Sequence, residues 1–144
     1  MPSTTTPTDR VHRRVCHALF DALERGDVAA IDALYAPDMT MWFNVTNQVT
    51  TREENLAAVD AGRALHRRRS YDDRQIHTFD DGFLAQYTCV VVTHDGTRVP
   101  LSACLVAEVH DGLITKLFEY LDSARFRAPR RKRERSEADR EVAS

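Results

Sequence analysis

The fold of this chain is decided by SYDDRQIHTFDDGFLAQYTCVVVTHDGTRVPLSACLVAEVHDGLITKLFEYLD (residues 70–122). Three Asp-Gly pairs, at 81–82, 95–96 and 111–112, separate runs rich in β-branched and aromatic residues. An Asp-Gly pair between such runs is the strongest short-range signal for a β-hairpin, because glycine accepts the positive φ of a tight turn. The pattern predicts four long antiparallel strands in one meander, of which RRSYDDRQIHTF (68–79) is the first.

The residues before the meander predict two helices and a strand. Apolar residues recur at helical spacing from an N-cap at Thr8 to about Arg25. Gly26-Asp27 should end this helix and cap a second one, VAAIDALYA (28–36). Pro37-Asp38 should break that helix, and MTMWFNV (39–45) follows as a first strand.

A third helix is predicted from a cap at Thr51, where Glu54 completes a capping box after a short strand at 49–50. We expect the basic cluster at 66–69 to close this helix. The functional interpretation of the cluster is an anion site, and the plainer one, which the pattern favours, is a solvated helix end. Helices followed by strands predict an α+β fold, with the helices on one face of a curved antiparallel sheet.

Length and composition bound the possible functions. The 144 residues suffice for one domain, and 42% hydrophobic with 29% charged residues is ordinary for a soluble protein. The net charge of −2 gives no global field that would attract nucleic acid. No apolar run approaches the ~18 residues of a membrane span. We therefore expect a cytoplasmic protein with neither a nucleic-acid nor a membrane partner.

The two ends of the chain differ from its middle. Residues 1–7 are polar and predict a disordered arm, and residues 8–126 form the single α+β domain. We expect Ser123 to Phe126 to pack back against the sheet. Residues 127–144 carry dense mixed charge without apolar periodicity, which predicts a disordered tail.

Two segments, ALERGDVAAIDALYAPDMTMWFN (22–44) and HDGLITKLFEYLD (110–122), resemble the nuclear transport factor 2-like superfamily. More narrowly they resemble its SnoaL-like branch, which includes polyketide cyclases, limonene-epoxide hydrolase and ketosteroid isomerase. The resemblance covers about residues 8–126. It implies a sheet curled into a cone, three helices on its concave face, an apolar pocket between them, and a homodimer packed through the outer face of the sheet.

The resemblance also implies positions for catalytic residues. A ketosteroid isomerase would place its base at Phe43, its oxyanion-hole tyrosine near Leu19 and its second acid near Leu105, and all three are apolar here. This argues against steroid isomerisation by that mechanism. A SnoaL-type polyketide cyclase would place its acidic base at Glu119, where this chain has a carboxyl group.

Limonene-epoxide hydrolase is matched only in part. Its last catalytic aspartate corresponds to Asp122, and its water-holding tyrosine and asparagine correspond to Trp42 and Asn44. Its arginine and its other aspartate would fall near Thr88 and Val90, where this chain lacks them. The chain thus retains two acidic positions of the superfamily but no complete catalytic set.

The residues of the last strand point to the same two acids. Strict alternation places Ile114, Lys116, Phe118, Tyr120 and Asp122 on one face and Glu119 on the other, although a bulge could bring both acids to one cavity. We prefer Asp122 as the catalytic base or acid, since it follows two aromatic residues that would desolvate it and raise its pKa. The alternative is a strand-end aspartate that caps Ala124 or Arg125, or pairs with Arg125.

Asn44 offers a donor and an acceptor that could orient a reacting oxygen, or it is simply a turn residue. Trp42 is either a flat wall for an apolar ligand or plain core. The candidates for lining the pocket are Trp42, Phe118, Tyr120, Thr88, His77 and Phe20. The six histidines show no HxH or HExxH spacing and no glycine-rich phosphate loop is present, so we expect neither a metal nor a cofactor.

Together these patterns predict a cofactor-free enzyme that applies general acid–base catalysis to an apolar cyclic substrate. The reaction would be of cyclase, isomerase or epoxide-hydrolase type, with Asp122 or Glu119 as the acid or base and Asn44 orienting the reacting oxygen. The alternative is a non-catalytic ligand-binding or dimerisation module of the same fold, which the missing arginine and aspartate favour.

Overall fold

The computed structural model describes residues 4–124, and its secondary structure follows the predicted order. The helices and strands are α1 (Pro7–Arg25), α2 (Val28–Leu34), β1 (Tyr35–Phe43), β2 (Gln48–Thr51), α3 (Arg52–Gly62), β3 (Arg68–Phe79), β4 (Gly82–Val92), β5 (Arg98–His110) and β6 (Leu113–Leu121). The expected packing of 123–126 and the tail at 127–144 fall wholly or partly outside the described residues, as does the start of the N-terminal arm. No helix in the described part is long and apolar enough to cross a membrane.

The six strands form one sheet in the order β2-β1-β6-β5-β4-β3. The four-strand antiparallel meander is confirmed, and so is the α+β architecture, in which three helices pack against a curved, unclosed sheet. One pairing differs from the predicted antiparallel sheet, because β1 runs parallel to β6. This parallel pairing places the front of the chain beside its last strand.

The glycines of the three hairpins serve different purposes. Gly96 and Gly112 have φ values of +89° and +75°, as tight turns require. Gly82 does not have positive φ, so the prediction that this glycine supplies the positive φ of a tight turn is wrong. A Cβ on Gly82 would lie 1.8 Å from the carbonyl oxygen of Ala107, so a glycine is needed for the close approach of β4 to β5.

The front of the chain begins slightly earlier than predicted. Thr6, not Thr8, caps α1, since its hydroxyl accepts a hydrogen bond from the Asp9 backbone N–H at 3.0 Å, and Pro7 is the first helical residue. Helix α2 ends at Leu34, and β1 already begins at Tyr35 and includes Pro37. The proline therefore lies within a strand and does not precede one.

The third helix ends earlier than predicted, with a consequence for the site. The capping box of Thr51 and Glu54 is present, but α3 stops at Gly62, and Leu65, which lies beyond it, is 78% exposed. The basic cluster 66–69 is therefore not a helix end. Its last two residues, Arg68 and Arg69, begin β3.

Candidate active site on the inner face of the sheet

The inner face of β6 presents a carboxyl group to the core. Glu119 lies on the same face as Leu117, and its partners across the neighbouring strands are Phe43 of β1 and Leu105 of β5. Adjacent strands are ~4.8 Å apart, so an apolar side chain flanks the carboxylate on each side. These two neighbours occupy the positions that would carry acidic residues in a ketosteroid isomerase. Here the single carboxyl group lies on the strand between them.

An irregularity in β6 changes the predicted alternation without changing the position of the acids. The register with β5 shifts between Ile114 and Lys116, and Ile114 is fully buried, so it leaves the outer face. Because this shift precedes both acids, it does not bring them together. Glu119 points inward, whereas Asp122 lies just beyond the strand end and is exposed.

Three aromatic rings form a cluster, and one of them contacts the carboxyl group. The Tyr87 hydroxyl donates a hydrogen bond to Glu119 Oε2 at 3.3 Å. The ring of Phe20 lies 4.7 Å from that of Tyr87 and stacks on that of Tyr71 at 5.1 Å, measured between centroids. Phe20 is fully buried, so helix α1 supplies the ring that holds both tyrosines in place.

Arg69 brings a positive charge to the same region. It lies two residues before Tyr71 on β3, so both side chains share the inner face. Its guanidinium interacts electrostatically with the Tyr71 side chain and with Glu119. Arg69 and Glu119 are each partly exposed as whole residues, although the Nε atom of Arg69 is itself buried.

Burial sets the protonation behaviour of this cluster. Burial raises the pKa of Glu119 above its ordinary value, although the Arg69 charge and the Tyr87 hydrogen bond act in the opposite direction. Burial likewise raises the pKa values of Tyr71 and Tyr87, so both phenols remain neutral hydrogen-bond donors at physiological pH. The site therefore combines a carboxyl group of raised pKa with neutral donors.

A second polar chain borders this cluster and links α3 to β1. The Tyr35 hydroxyl donates to Asn55 Oδ1 at 2.8 Å, and Asn55 Nδ2 contacts Met41 Sδ at 2.9 Å. Asn55 is one of two buried polar residues among residues 4–124. Its bonds fix the helix over the inner face of the sheet.

The other two predicted catalytic residues have structural partners. Asp122 Oδ1 accepts a hydrogen bond from the Ala124 backbone N–H at 3.1 Å, which is the capping role given above as its alternative. Asn44 uses both ends of its amide on one residue, donating to the Leu121 carbonyl at 3.1 Å and accepting from its N–H at 2.9 Å. It extends the β1–β6 pairing beyond the last backbone bridge.

Most of the predicted pocket-lining residues lie on the outer face of the sheet. Trp42 packs its ring 5.2 Å from that of Tyr120, which is 46% exposed, and donates through Nε1 to Asn47. His77 is also exposed. An open groove of about 490 Å³ crosses this face, and its polar lining is Asp73, Gln75, Gln86, Tyr87, Thr88, Ser102, Cys104, Tyr120 and Asp122. Of the predicted lining residues, Phe20 contacts the inner cluster directly.

The residues that surround Glu119 were not predicted as site residues. The sequence predicts Arg69 both in a helix end and in the strand 68–79, and Tyr35 in a helix that stops one residue earlier. Tyr71 and Tyr87 were not singled out, although alternation along the two correctly predicted strands would have placed them on one face. Within the described residues, no group of three or more His, Cys, Asp or Glu side chains could hold a metal ion.

The helices close the concave face of an open sheet over the inward-facing carboxyl group of Glu119. Sequence comparison identifies the family to which this arrangement belongs. The SnoaL-like domain family matches residues 16–117, which is more than half of the chain. The chain therefore belongs to the SnoaL-like domain family. No curated protein matches the sequence.

Solved structures show the same fold at low sequence identity. A candidate polyketide cyclase from Xanthomonas campestris pv. campestris is 21% identical, with 81% of this chain and 94% of that chain covered and a TM-score of 0.72. AclR, a candidate hydroxylase from Streptomyces galilaeus, is 13% identical, with 82% and 93% covered and a TM-score of 0.73. A protein of ketosteroid isomerase-like fold from Catenulispora acidiphila is 15% identical, with 74% and 83% covered and a TM-score of 0.67.

Proposed function

We propose that this chain is a cofactor-free enzyme that transfers protons on an apolar cyclic substrate, with Glu119 as the general base and acid. One observation carries the proposal: the inner face holds a carboxyl group flanked by Phe43 and Leu105 and bonded to a neutral phenol. Burial raises the pKa of Glu119 toward neutral pH, where one carboxyl group can both accept and return a proton.

Each polar residue then has a role. The Glu119 carboxylate removes a proton from a carbon beside a carbonyl group, and the electron pair moves to that carbonyl oxygen. The Tyr71 hydroxyl stabilises the resulting oxyanion, while Tyr87 holds the carboxylate in position. Glu119 returns the proton to another carbon in an isomerisation, or to the new alkoxide after ring closure in an aldol cyclisation.

Isomerase or cyclase chemistry is better supported than epoxide hydrolysis. The epoxide-hydrolase comparison depends on Asp122 and on the position of Thr88. The first is exposed and caps Ala124, and both line the outer groove, away from the buried cluster. Proton transfer beside a carbonyl needs only one inward carboxyl group and nearby donors, and those are the groups that surround Glu119.

The test uses 2-tetralone, an apolar cyclic ketone with acidic protons beside its carbonyl group. Proton NMR in D₂O follows their replacement by deuterium with wild type, Glu119→Gln and Asp122→Asn. We expect the wild type to accelerate exchange, and Glu119→Gln to lose at least ~100-fold of that rate, as for a general base. Asp122→Asn is the matched control and should retain it. Equal rates for Glu119→Gln and wild type would contradict the proposal.

We also propose that the chain forms a homodimer through the outer face of its sheet. The support is the exposed apolar surface of that face, which includes Tyr120 beside Trp42. Sedimentation velocity should show a dimer for the wild type and a monomer for Tyr120→Glu, since a buried unpaired charge opposes association. A monomeric wild type at high concentration would contradict this proposal. Dimerisation alone would suit the non-catalytic alternative equally well, so it does not replace the exchange test.

A further inference from the structure

Arg69 has binding capacity that the protein does not use. Its Nε is buried, with no hydrogen-bond partner among residues 4–124. Within the same described range, no carboxylate forms an ion pair with Arg69, although Glu119 lies close enough to interact electrostatically. An unsatisfied buried donor on a charged group destabilises the protein unless something binds it.

The geometry of the free donor indicates the kind of group that would bind. A guanidinium recognises a carboxylate through two parallel N–H groups, and Nε–H is one of the two on its side edge. The guanidinium interacts electrostatically with the neighbouring Tyr71 side chain, and its Nε–H remains without a partner among the described residues. The two oxygens of a ligand carboxylate could accept hydrogen bonds from this edge of the guanidinium, including the Nε–H.

The surrounding charge favours an anion. The chain as a whole has a net charge of −2, yet Arg67, Arg68 and Arg69 are consecutive, and the last two begin β3. Burial lowers the pKa of His66, and the positive charges of Arg69 and His94 add to that effect. The positive field is therefore local to the strand that carries Arg69 into the site.

We propose that Arg69 binds a carboxylate group of the substrate, so that the natural substrate is an apolar cyclic ketone that also carries an acid group. This inference rests on the proposed function, since it assigns the substrate class of the same site. The carboxylate would anchor the molecule at Arg69 and present the carbon beside its ketone to Glu119. Binding energy at the acid group would thus position the reacting carbon.

The experiment compares two ligands of the same shape and different charge, 2-naphthoate and 2-naphthamide. Isothermal titration calorimetry gives their dissociation constants with wild type, Arg69→Gln and Arg68→Gln. Arg68→Gln is the matched control, because Arg68 is adjacent and exposed and its substitution removes the same charge. We expect wild type to prefer the carboxylate roughly tenfold, as one charge-assisted hydrogen bond would give. Arg69→Gln should abolish the preference and Arg68→Gln should retain it.

Arg69→Lys keeps the positive charge but removes the guanidinium, so it separates the two contributions. It also replaces Arg69→Gln as the test variant if circular dichroism shows that Arg69→Gln does not fold. The lysine variant should lose most of the preference, since an ammonium cannot form the paired contacts. Equal affinity for the two ligands in wild type would overturn the inference, as would no naphthoate binding at millimolar concentration. If Arg68→Gln and Arg69→Gln lost the preference for naphthoate equally, the preference would come from the general positive field and not from a site at Arg69. That result would also overturn the inference.

The inference and the proposed function can fail separately. The ketone 2-tetralone carries no carboxylate, so its exchange reports on Glu119 without requiring the anion site. Exchange that depends on Glu119, together with no preference for naphthoate, would overturn only the carboxylate assignment. A preference that depends on Arg69, without Glu119-dependent exchange, would overturn only the enzymatic proposal and indicate a carboxylate-binding module.

Discussion

Two acids on and just beyond β6 lie only three residues apart and have opposite surroundings. Glu119 faces inward between Phe43 and Leu105 and accepts a hydrogen bond from Tyr87. Asp122 follows the strand end, is exposed, and caps Ala124. The two differ in solvation more than in chemistry, and solvation is what moves a carboxyl pKa toward neutrality.

The same contrast holds for the aromatic residues. On the inner face Phe20 is fully buried and contacts Tyr71 and Tyr87, so its ring organises the site. On the outer face Trp42 and Tyr120 contact each other at a similar distance, but Tyr120 is half-exposed. Ring–ring contacts alone therefore do not identify a pocket, and the side of the sheet on which they lie decides their role.

The largest effect should come from removing the inner ring. Phe20→Ala should lower the free energy of unfolding by about 3–5 kcal/mol, because it leaves a cavity between α1 and the sheet. Tyr120→Ala, its outer counterpart, should cost only about 1 kcal/mol, in line with its partial exposure. Urea denaturation measures both, at two protein concentrations to separate any contribution of the proposed dimer. If Phe20→Ala does not fold, Phe20→Leu replaces it, with a smaller loss of unfolding free energy that still exceeds the loss in Tyr120→Ala.

A smaller effect is expected at the β1–β6 edge. Asn44→Ala removes both hydrogen bonds to the Leu121 backbone and should cost about 1–3 kcal/mol. Asn44→Asp is the matched variant: it keeps an acceptor for the Leu121 N–H but opposes the Leu121 carbonyl with a charge. Urea denaturation should rank wild type as the most stable of the three. If Asn44→Ala left stability unchanged but abolished exchange on 2-tetralone, Asn44 would act on the substrate and not on the strand end.

Much of this comparison could be predicted from the sequence. The Asp-Gly pairs located the turns, and period-two patterning identified β3 with both of its observed ends. The successful predictions of the fold share a cause, since turn chemistry and strand periodicity are local properties that the chain carries in its own order. The resemblance to SnoaL-type cyclases indicates Glu119 as one of two candidate acids, and its role stays a prediction.

The preference between the acids depended on information that spacing does not carry. Asp122 was preferred because Phe118 and Tyr120 precede it, but those rings lie on the outer face, and the desolvated position is set by β1 and β5. The parallel pairing of β1 with β6 brings Phe43 against Glu119, and no local pattern predicts that pairing. The predicted strand 68–79 already contains Arg69 and Tyr71 in alternation, but the interpretation of the basic cluster 66–69 as a helix end drew attention away from Arg69.

The pH dependence of stability should separate the two acids. The raised pKa of Glu119 means that the folded state holds this proton to higher pH than the unfolded state, whose ordinary value is 4.5. Stability should therefore fall as pH rises from about 4.5 through the folded value, by at most ~1.4 kcal/mol per pH unit. Glu119→Gln has no such proton and should lack this fall. Parallel stability profiles for wild type and Glu119→Gln would show that burial leaves the carboxyl pKa unchanged.

The smallest expected effect belongs to Asp122. An asparagine at this position keeps the side-chain oxygen that caps Ala124, so Asp122→Asn should change the free energy of unfolding by less than about 0.5 kcal/mol. Asp122→Ala removes the cap and should cost slightly more, and neither variant should slow exchange on 2-tetralone. Kinetics and urea denaturation of the pair would check this. A loss of exchange in Asp122→Asn at unchanged stability would reverse the comparison, because it would place the chemistry in the outer groove and leave Glu119 as a buried structural acid.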